Sequence, residues 1–258
     1  MAGGGGVISA VLFDLDGTLV ETEELKAISH ARSIAELRPE VPEEDVVFAY
    51  TEDLVGHPRR EVAKTLVQRF GLETAARERM EEFEADEPWQ VLVSIRHGIY
   101  EALLADSGLL LEKRYPHNIN LLRKVRREGY PTALATMSHR HQVERVLSVL
   151  GLSEAFDVIA TMEDVQCGKP DPEIDLFVSR EMELPPEEFL VIEDSPAGVA
   201  AALAAGMAVV AVPTRITTRK LHASGLLEPR WLVEDPRTLP EVVRQRVEEA
   251  GGKRAGVR

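Results

Sequence analysis

Val7-Ile8-Ser9-Ala10-Val11-Leu12-Phe13-Asp14-Leu15-Asp16-Gly17-Thr18 decides how this chain is read. Residues 7–13 form a short apolar run, the pattern of a parallel strand covered on both faces. The run stops at two carboxylates separated by one leucine, followed by a glycine and a hydroxyl. Open α/β sheets bind ligands just beyond the carboxyl ends of their strands, so acids at that place point to chemistry.

Strand-like runs return beyond residue 112. PTALATM (131–137), FDVIAT (156–161), FLVIED (189–194), AVVAVP (208–213) and RWLVED (230–235) each read as a strand. Helical patterns separate them over 118–128, 141–150, 172–183, 197–206 and 240–250, and Gly151 is placed as the C-cap of the second. Strand and helix in alternation predict an α/β fold, a doubly wound parallel sheet. The intervening residues 22–106 read as helix after helix. Val62, Leu66 and Phe70 recur every four residues, Thr74–Glu84 is charged and helix-favouring, and Trp89–Leu104 is densely apolar. Pro39, Pro42, Pro58 and Pro88 divide this block into four or five helices. The expected organisation is a core of residues 1–21 and 107–258 with an inserted all-helical cap domain at 22–106. Linkers are expected near 18–22 and 106–114.

Apolar residues make up 44% of the chain and charged residues 29%, values of a folded globular protein. Thirty Lys and Arg against 44 Asp and Glu leave a net charge of −14, which argues against a nucleic-acid binder. A phosphorylated small molecule is not excluded, because a few basic groups and a metal ion suffice to bind it. The single cysteine, Cys167, permits no internal disulfide, and no apolar run approaches a membrane span. The N-terminus lacks the features of a signal peptide, so the cytoplasm is the expected location. The GGGG run at 3–6 precedes the first strand and is read as a tail, not as a phosphate-binding loop.

The strand ends collect the polar residues. Asp14 and Asp16 follow the first strand, Thr136 and Ser138 the second, and Glu193, Asp194 and Ser195 the FLVI strand. Gly168-Lys169-Pro170 forms a turn after FDVIAT. Carboxylates gathered in a cleft repel one another, and a bound cation resolves the conflict. Oxygen-only ligands with room for water and a phosphate favour Mg2+.

FDLDGTLVETEEL, LATMS, VQCGKPDPEI and VIEDSPAGV resemble, in order, the four motifs of the haloacid dehalogenase-like superfamily. The resemblance covers about 20 residues at the front and the region from about 115 to 235. The helical insertion resembles the helical-cap subgroup, which includes sugar-phosphate phosphatases, phosphoglycolate phosphatases and β-phosphoglucomutases. The resemblance implies that Asp14 attacks phosphorus and becomes an aspartyl phosphate, and that Asp16 serves as general acid and base. It implies that Thr136 hydrogen-bonds a phosphoryl oxygen and that Lys169 offsets the charge of phosphate and Asp14. It places Mg2+ on Asp14, the main-chain carbonyl of Asp16, Asp194 and Glu193, the last through water.

Haloacid dehalogenases lack the second aspartate of the first motif, so Asp16 argues for phosphate chemistry. Gly56-His57-Pro58-Arg59 resembles a mutase stretch that contacts substrate, which makes Arg59 the candidate substrate-binding residue. The mutase pattern would place an aspartate at 21 and a histidine at 26, where this chain has Glu21 and Lys26. The expected activity is therefore hydrolysis of a phosphorylated sugar or small metabolite. A β-phosphoglucomutase-like mutase is the alternative, and a non-catalytic phosphate-sensing regulator is the alternative of another class. Cys167, His30, His57 and the charged stretch 77–87 are read as carrying no chemistry, while His139 and Arg140 border the site or open a surface helix.

Overall fold

Every residue of β1 (Ala10–Phe13) is apolar and buried, as a strand covered on both faces must be. The computed structural model describes residues 7–252, so the GGGG run lies outside the described residues. β1 is the middle strand of a five-stranded sheet in the order β3-β2-β1-β4-β5. Its partners are β2 (Thr132–Ala135), β3 (Val158–Ala160), β4 (Phe189–Glu193) and β5 (Ala208–Ala211), and every pairing is parallel. The register sets Phe13 opposite both Leu134 and Ile192. The residues that follow, Asp14, Thr136 and Glu193, therefore emerge at one end of the sheet.

The chain divides into two compact units, Met1–Glu21 with Leu110–Arg258, and Thr22–Leu109. The second unit is helical. It contains α1 (Thr22–Leu37), α2 (Glu43–Ala49), α3 (Arg59–Arg69), α4 (Glu73–Glu78) and α5 (Pro88–Ala105), with a π-helical turn at Tyr50–Leu54. Its apolar cluster includes Ile34, Val46, Leu66, Leu72 and Leu92. Val62 and Leu66 are buried as the four-residue spacing predicts. The charged stretch 74–84 is not one helix. α4 ends at Glu78, and the chain turns through Glu84 at φ 49, which brings Met80 and Phe83 onto the apolar cluster. Burial of those two side chains overrides a favourable helix composition.

Helix α6 (Ser107–Glu112) leads back into the sheet-bearing unit, which carries α7 (Pro116–Arg127), α8 (Arg140–Leu150), α9 (Glu173–Glu181), α10 (Pro196–Ala204), α11 (Thr218–Ser224) and α12 (Leu239–Gly252). Gly151 closes α8 at φ 65, the left-handed conformation a glycine C-cap supplies. The sixth expected strand, RWLVED, is reduced to one bridge between Ala211 and Leu232. Pro229–Trp231 is wound as a 3-10 turn and Pro236 starts another, so only four residues, 232–235, lie between them. No described helix is long and apolar enough to cross a membrane.

Candidate active site

The site is built from main-chain turns at strand ends. Asp14 continues β1, its N–H donating to the Ile192 carbonyl at 3.1 Å. The chain then reverses through Gly17 at φ 85. A Cβ built there would lie 2.6 Å from Cγ of Asp194, so this glycine provides both the turn and the space for a carboxylate. Glu193 ends β4 and folds back over the start of α10. One of its oxygens accepts from the N–H groups of Asp194 and Ser195, at 2.8 and 3.0 Å, and from the Ser195 hydroxyl at 3.1 Å. Ser195 caps α10 by accepting from the Gly198 N–H at 3.1 Å. A carboxylate at a helix N-terminus is favoured by the helix dipole and the free N–H groups.

Lys169 joins these elements. Its ammonium, with the side chain 8% exposed, donates to Oδ1 of Asp14 at 2.9 Å, to Oε1 of Glu193 at 2.7 Å and to the Ala135 carbonyl at 3.0 Å. An ammonium has three hydrogens, and all three are used. Burial opposes its charge, but Asp14, Glu193 and Asp175 outweigh burial and hold Lys169 well above the ordinary lysine range. Burial pushes the Asp14 carboxyl up to about 8, with Lys169 opposing and Glu193 and Asp16 adding to the rise. One ammonium cannot fully offset the two carboxylates it bridges.

The carboxylates of Asp14, Glu193 and Asp194 offer oxygens within 4.8 Å of one another, and all three residues are buried. The donor set is hard oxygen only, which fits Mg2+. Both Glu193 oxygens already accept hydrogen bonds, Oε1 from Lys169 and Oε2 from the N–H groups of Asp194 and Ser195 and the Ser195 hydroxyl. The Asp16 side chain lies outside this group. Its Oδ2 accepts from the hydroxyls of Thr136 at 2.9 Å and Ser138 at 2.6 Å. Thr136, expected at a phosphoryl oxygen, thus donates to Asp16 here. One hydroxyl carries one hydrogen, so it serves either acceptor but not both at once.

Asp14, Asp16, Thr136, Lys169, Glu193 and Asp194 therefore meet at one end of the sheet. Arg59 opens α3 of the helical unit, where burial and then Arg96 hold its guanidinium below the ordinary range. Lys26 pairs with Glu23 at 2.6 Å in the same unit. Glu21 accepts from the Tyr115 hydroxyl. Ser138 and Asp175 were not assigned from the sequence. Ser138 stands two residues after Thr136 and could have been proposed from that spacing, whereas nothing in the α9 pattern marked Asp175.

A family model described as haloacid dehalogenase-like hydrolase matches residues 11–212. A phosphorylated carbohydrates phosphatase of Thermotoga maritima is 31% identical over 78% of this chain and 82% of its own length. Hexitol phosphatase A of Escherichia coli is 31% identical over 84% of this chain and 88% of its own. A Thermotoga maritima structure, provisionally assigned as a beta-phosphoglucomutase, superposes with a TM-score of 0.68 at 29% identity, covering 92% of this chain and 98% of that one. With the strand-end acids and Lys169 assembled on a parallel sheet of this order, the chain belongs to the haloacid dehalogenase-like hydrolase family.

Proposed function

We propose that this enzyme is a Mg2+-dependent phosphatase that hydrolyses a phosphorylated sugar or small metabolite through an aspartyl phosphate on Asp14. The observation that carries the reading is Asp14 itself: a buried carboxylate at the end of the central strand, fixed at 2.9 Å by an ammonium that also holds Glu193. The phosphatases among its relatives, acting on phosphorylated carbohydrates and hexitols, support the substrate class.

In this reading an Asp14 oxygen forms a bond to phosphorus as the bond to the leaving alcohol breaks. Asp16 gives that alcohol its proton, then takes one from the water that cleaves the acyl phosphate. Thr136 and Ser138 hold Asp16 until substrate arrives, and Thr136 turns its hydroxyl to a phosphoryl oxygen. Lys169 offsets charge on the phosphoryl group. Asp14, Asp194, the Asp16 carbonyl and, through water, Glu193 would hold Mg2+, which supplies further neutralisation of phosphoryl charge. Arg59 is proposed to bind the substrate outside the transferred group.

The test is release of inorganic phosphate from a panel of sugar and polyol phosphates, with and without Mg2+. Magnesium-dependent release is expected. Efficient interconversion of β-glucose 1-phosphate and glucose 6-phosphate with no release would establish the mutase alternative instead. Binding of sugar phosphates without turnover of either kind would point to the regulator.

A further inference from the structure

The segment that carries Thr136 and Ser138 runs from the end of β2 to the start of α8. It is anchored at both ends to the chain that follows β3. At the front, the Thr136 N–H donates to the Ala160 carbonyl at 3.1 Å and so continues the pairing of β2 with β3. At the far end, His139 is the N-cap of α8 but supplies no side-chain cap. Glu163, in the 3-10 turn Met162–Asp164, takes over that task. Its Oε2 accepts from the Arg140 N–H at 3.2 Å, and its Oε1 accepts from Nδ1 of His139 at 2.8 Å. A carboxylate only accepts, so Nδ1 carries the hydrogen. The turn itself is fixed by Asp164, whose Oδ2 accepts from the N–H and hydroxyl of Thr161 at 2.7 and 2.9 Å and from the Arg140 guanidinium at 2.6 Å.

Helix capping alone does not account for this arrangement. The Glu163 side chain is 44% exposed, so water would satisfy the Arg140 N–H and the His139 ring in its place. Water does not fix a position. Only Met137 and Ser138 lie between the two anchors, and the Ser138 hydroxyl donates to Oδ2 of Asp16 at 2.6 Å. With Glu163 in place, Ser138 is held from both sides. Without it, the far side keeps the Arg140–Asp164 pair and a long bond, 3.4 Å, from the Met162 N–H to the Ser138 carbonyl.

We propose that Glu163 is a positioning residue for Asp16, acting through the segment 136–140 and the Ser138 hydroxyl. The inference rests on the phosphatase reading for the role of Asp16 as the acid. Glu163→Ala removes both bonds. Glu163→Gln keeps an oxygen for the Arg140 N–H and an amide that bonds the other tautomer of the His139 ring. On the sugar phosphate turned over fastest in the panel, Glu163→Ala should lose kcat about fivefold or more, with KM changed less than about twofold. The loss should be smaller on para-nitrophenyl phosphate, whose leaving group needs less help from an acid. Glu163→Gln should keep most of the wild-type kcat. Added to Ser138→Ala, Glu163→Ala should cause no further loss, because both act through one hydroxyl. The melting temperature should stay within about 3 °C of the wild type, as for an exposed substitution.

A second readout needs no turnover. The Ser138 N–H donates to the Thr136 hydroxyl oxygen at 3.1 Å. Its hydrogen exchange, followed by NMR in 15N-labelled protein, should be about tenfold or more faster in Glu163→Ala. Wild-type kcat in Glu163→Ala, an equal loss on the two substrates, a full further loss in the double variant or unchanged Ser138 exchange would overturn the proposal. So would loss of the cooperative melting transition in Glu163→Ala, because the side chain would then be supporting the fold. A wild-type protein that releases no phosphate would sink the phosphatase reading, and the Ser138 exchange would then decide the Glu163 inference by itself.

Discussion

The Glu193 carboxylate lies across the α-carbon of Gly198, so that a Cβ built on this residue would overlap Oε1 and Cδ of Glu193. Gly198 is inside α10, where alanine would favour the helix by about 0.5–1 kcal/mol. The missing side chain therefore serves Glu193 and not the helix. Gly198→Ala is expected to displace the carboxylate from Lys169 and from the N–H groups of Asp194 and Ser195. Turnover should fall at least about tenfold, as expected for a reacting geometry shifted by a fraction of an ångström. Far-ultraviolet circular dichroism should still report a folded protein, and wild-type turnover in this variant would show that Glu193 needs no fixed position.

Asp14→Asn should abolish phosphate release, because an amide cannot replace the carboxylate nucleophile of the proposed reaction. Its melting temperature should equal or exceed that of the wild type, since the substitution removes a carboxyl group that burial already pushes to about 8. Acid-quenched intact mass should show one phosphate on the wild type during turnover and none on the variant. A labelled variant would place the nucleophile elsewhere.

Metal binding should tighten as pH rises towards 8. A cation needs Asp14 ionised, and below about 8 it must displace a proton, so apparent affinity changes by about tenfold per pH unit there. Without metal the sign is opposite. A folded-state pKa raised above the ordinary carboxylate value means the native state holds the extra proton. The contribution of Asp14 to stability therefore declines as pH climbs from about 4 to 8. The thermal shift produced by Mg2+ should accordingly be larger at pH 8 than at pH 6. Calorimetry in buffers of different ionisation enthalpy should count close to one proton released at the lower pH, and no proton release would remove Asp14 from the metal site.

What could be read in the sequence was what the main chain dictates. A buried strand that stops at Asp14-Leu15-Asp16 announces its own end, and the parallel register then carries Thr136 and Glu193 to the same edge. Lys169 stood out because its Gly-Lys-Pro turn lies in VQCGKPDPEI, the stretch that resembles the family's third motif. Side-chain partners across the sheet were not legible. The hydroxyl of Ser138 reaches Asp16 over 122 residues of sequence, and no local pattern encodes that bond. Asp175 looked like any polar residue near a helix start, although its helix turn faces inward. RWLVED had strand composition, but the turns at Pro229 and Pro236 leave too short an extended piece to form more than one bridge.

Asp16 is held by two hydroxyls, so removing either should disturb proton transfer without touching the nucleophile. Ser138→Ala deletes the 2.6 Å bond and leaves the Thr136 bond at 2.9 Å. A hydrogen bond to a charged group contributes about 1.5–3 kcal/mol. If that bond positions Asp16 in the transition state, kcat should drop about tenfold or more with little change in KM. Substrates with good leaving groups, such as aryl phosphates, need less help from an acid and should be affected less. An equal loss on alkyl and aryl phosphates would mean that Ser138 acts on something other than the acid.

His30 ties the helical unit to pH. It is 6% exposed on α1, its ring lies 4.8 Å from that of Tyr50, and Nδ1 has no hydrogen-bond partner. Burial, and then the positive charge of Arg96, hold its imidazole well below the ordinary histidine range. The unfolded chain therefore takes up a proton that the folded chain refuses. Stability is lost as pH falls below about 6.5, at about 1.4 kcal/mol per unit until the folded-state pKa is reached. His30→Phe keeps a flat ring against Tyr50 and removes the titration. Denaturant unfolding at pH 7.5 and pH 5 should show a clearly smaller acid-induced loss in this variant than in the wild type. Equal losses in the two proteins would mean that the acid sensitivity resides in other groups, and that His30 is no more than packing for α1.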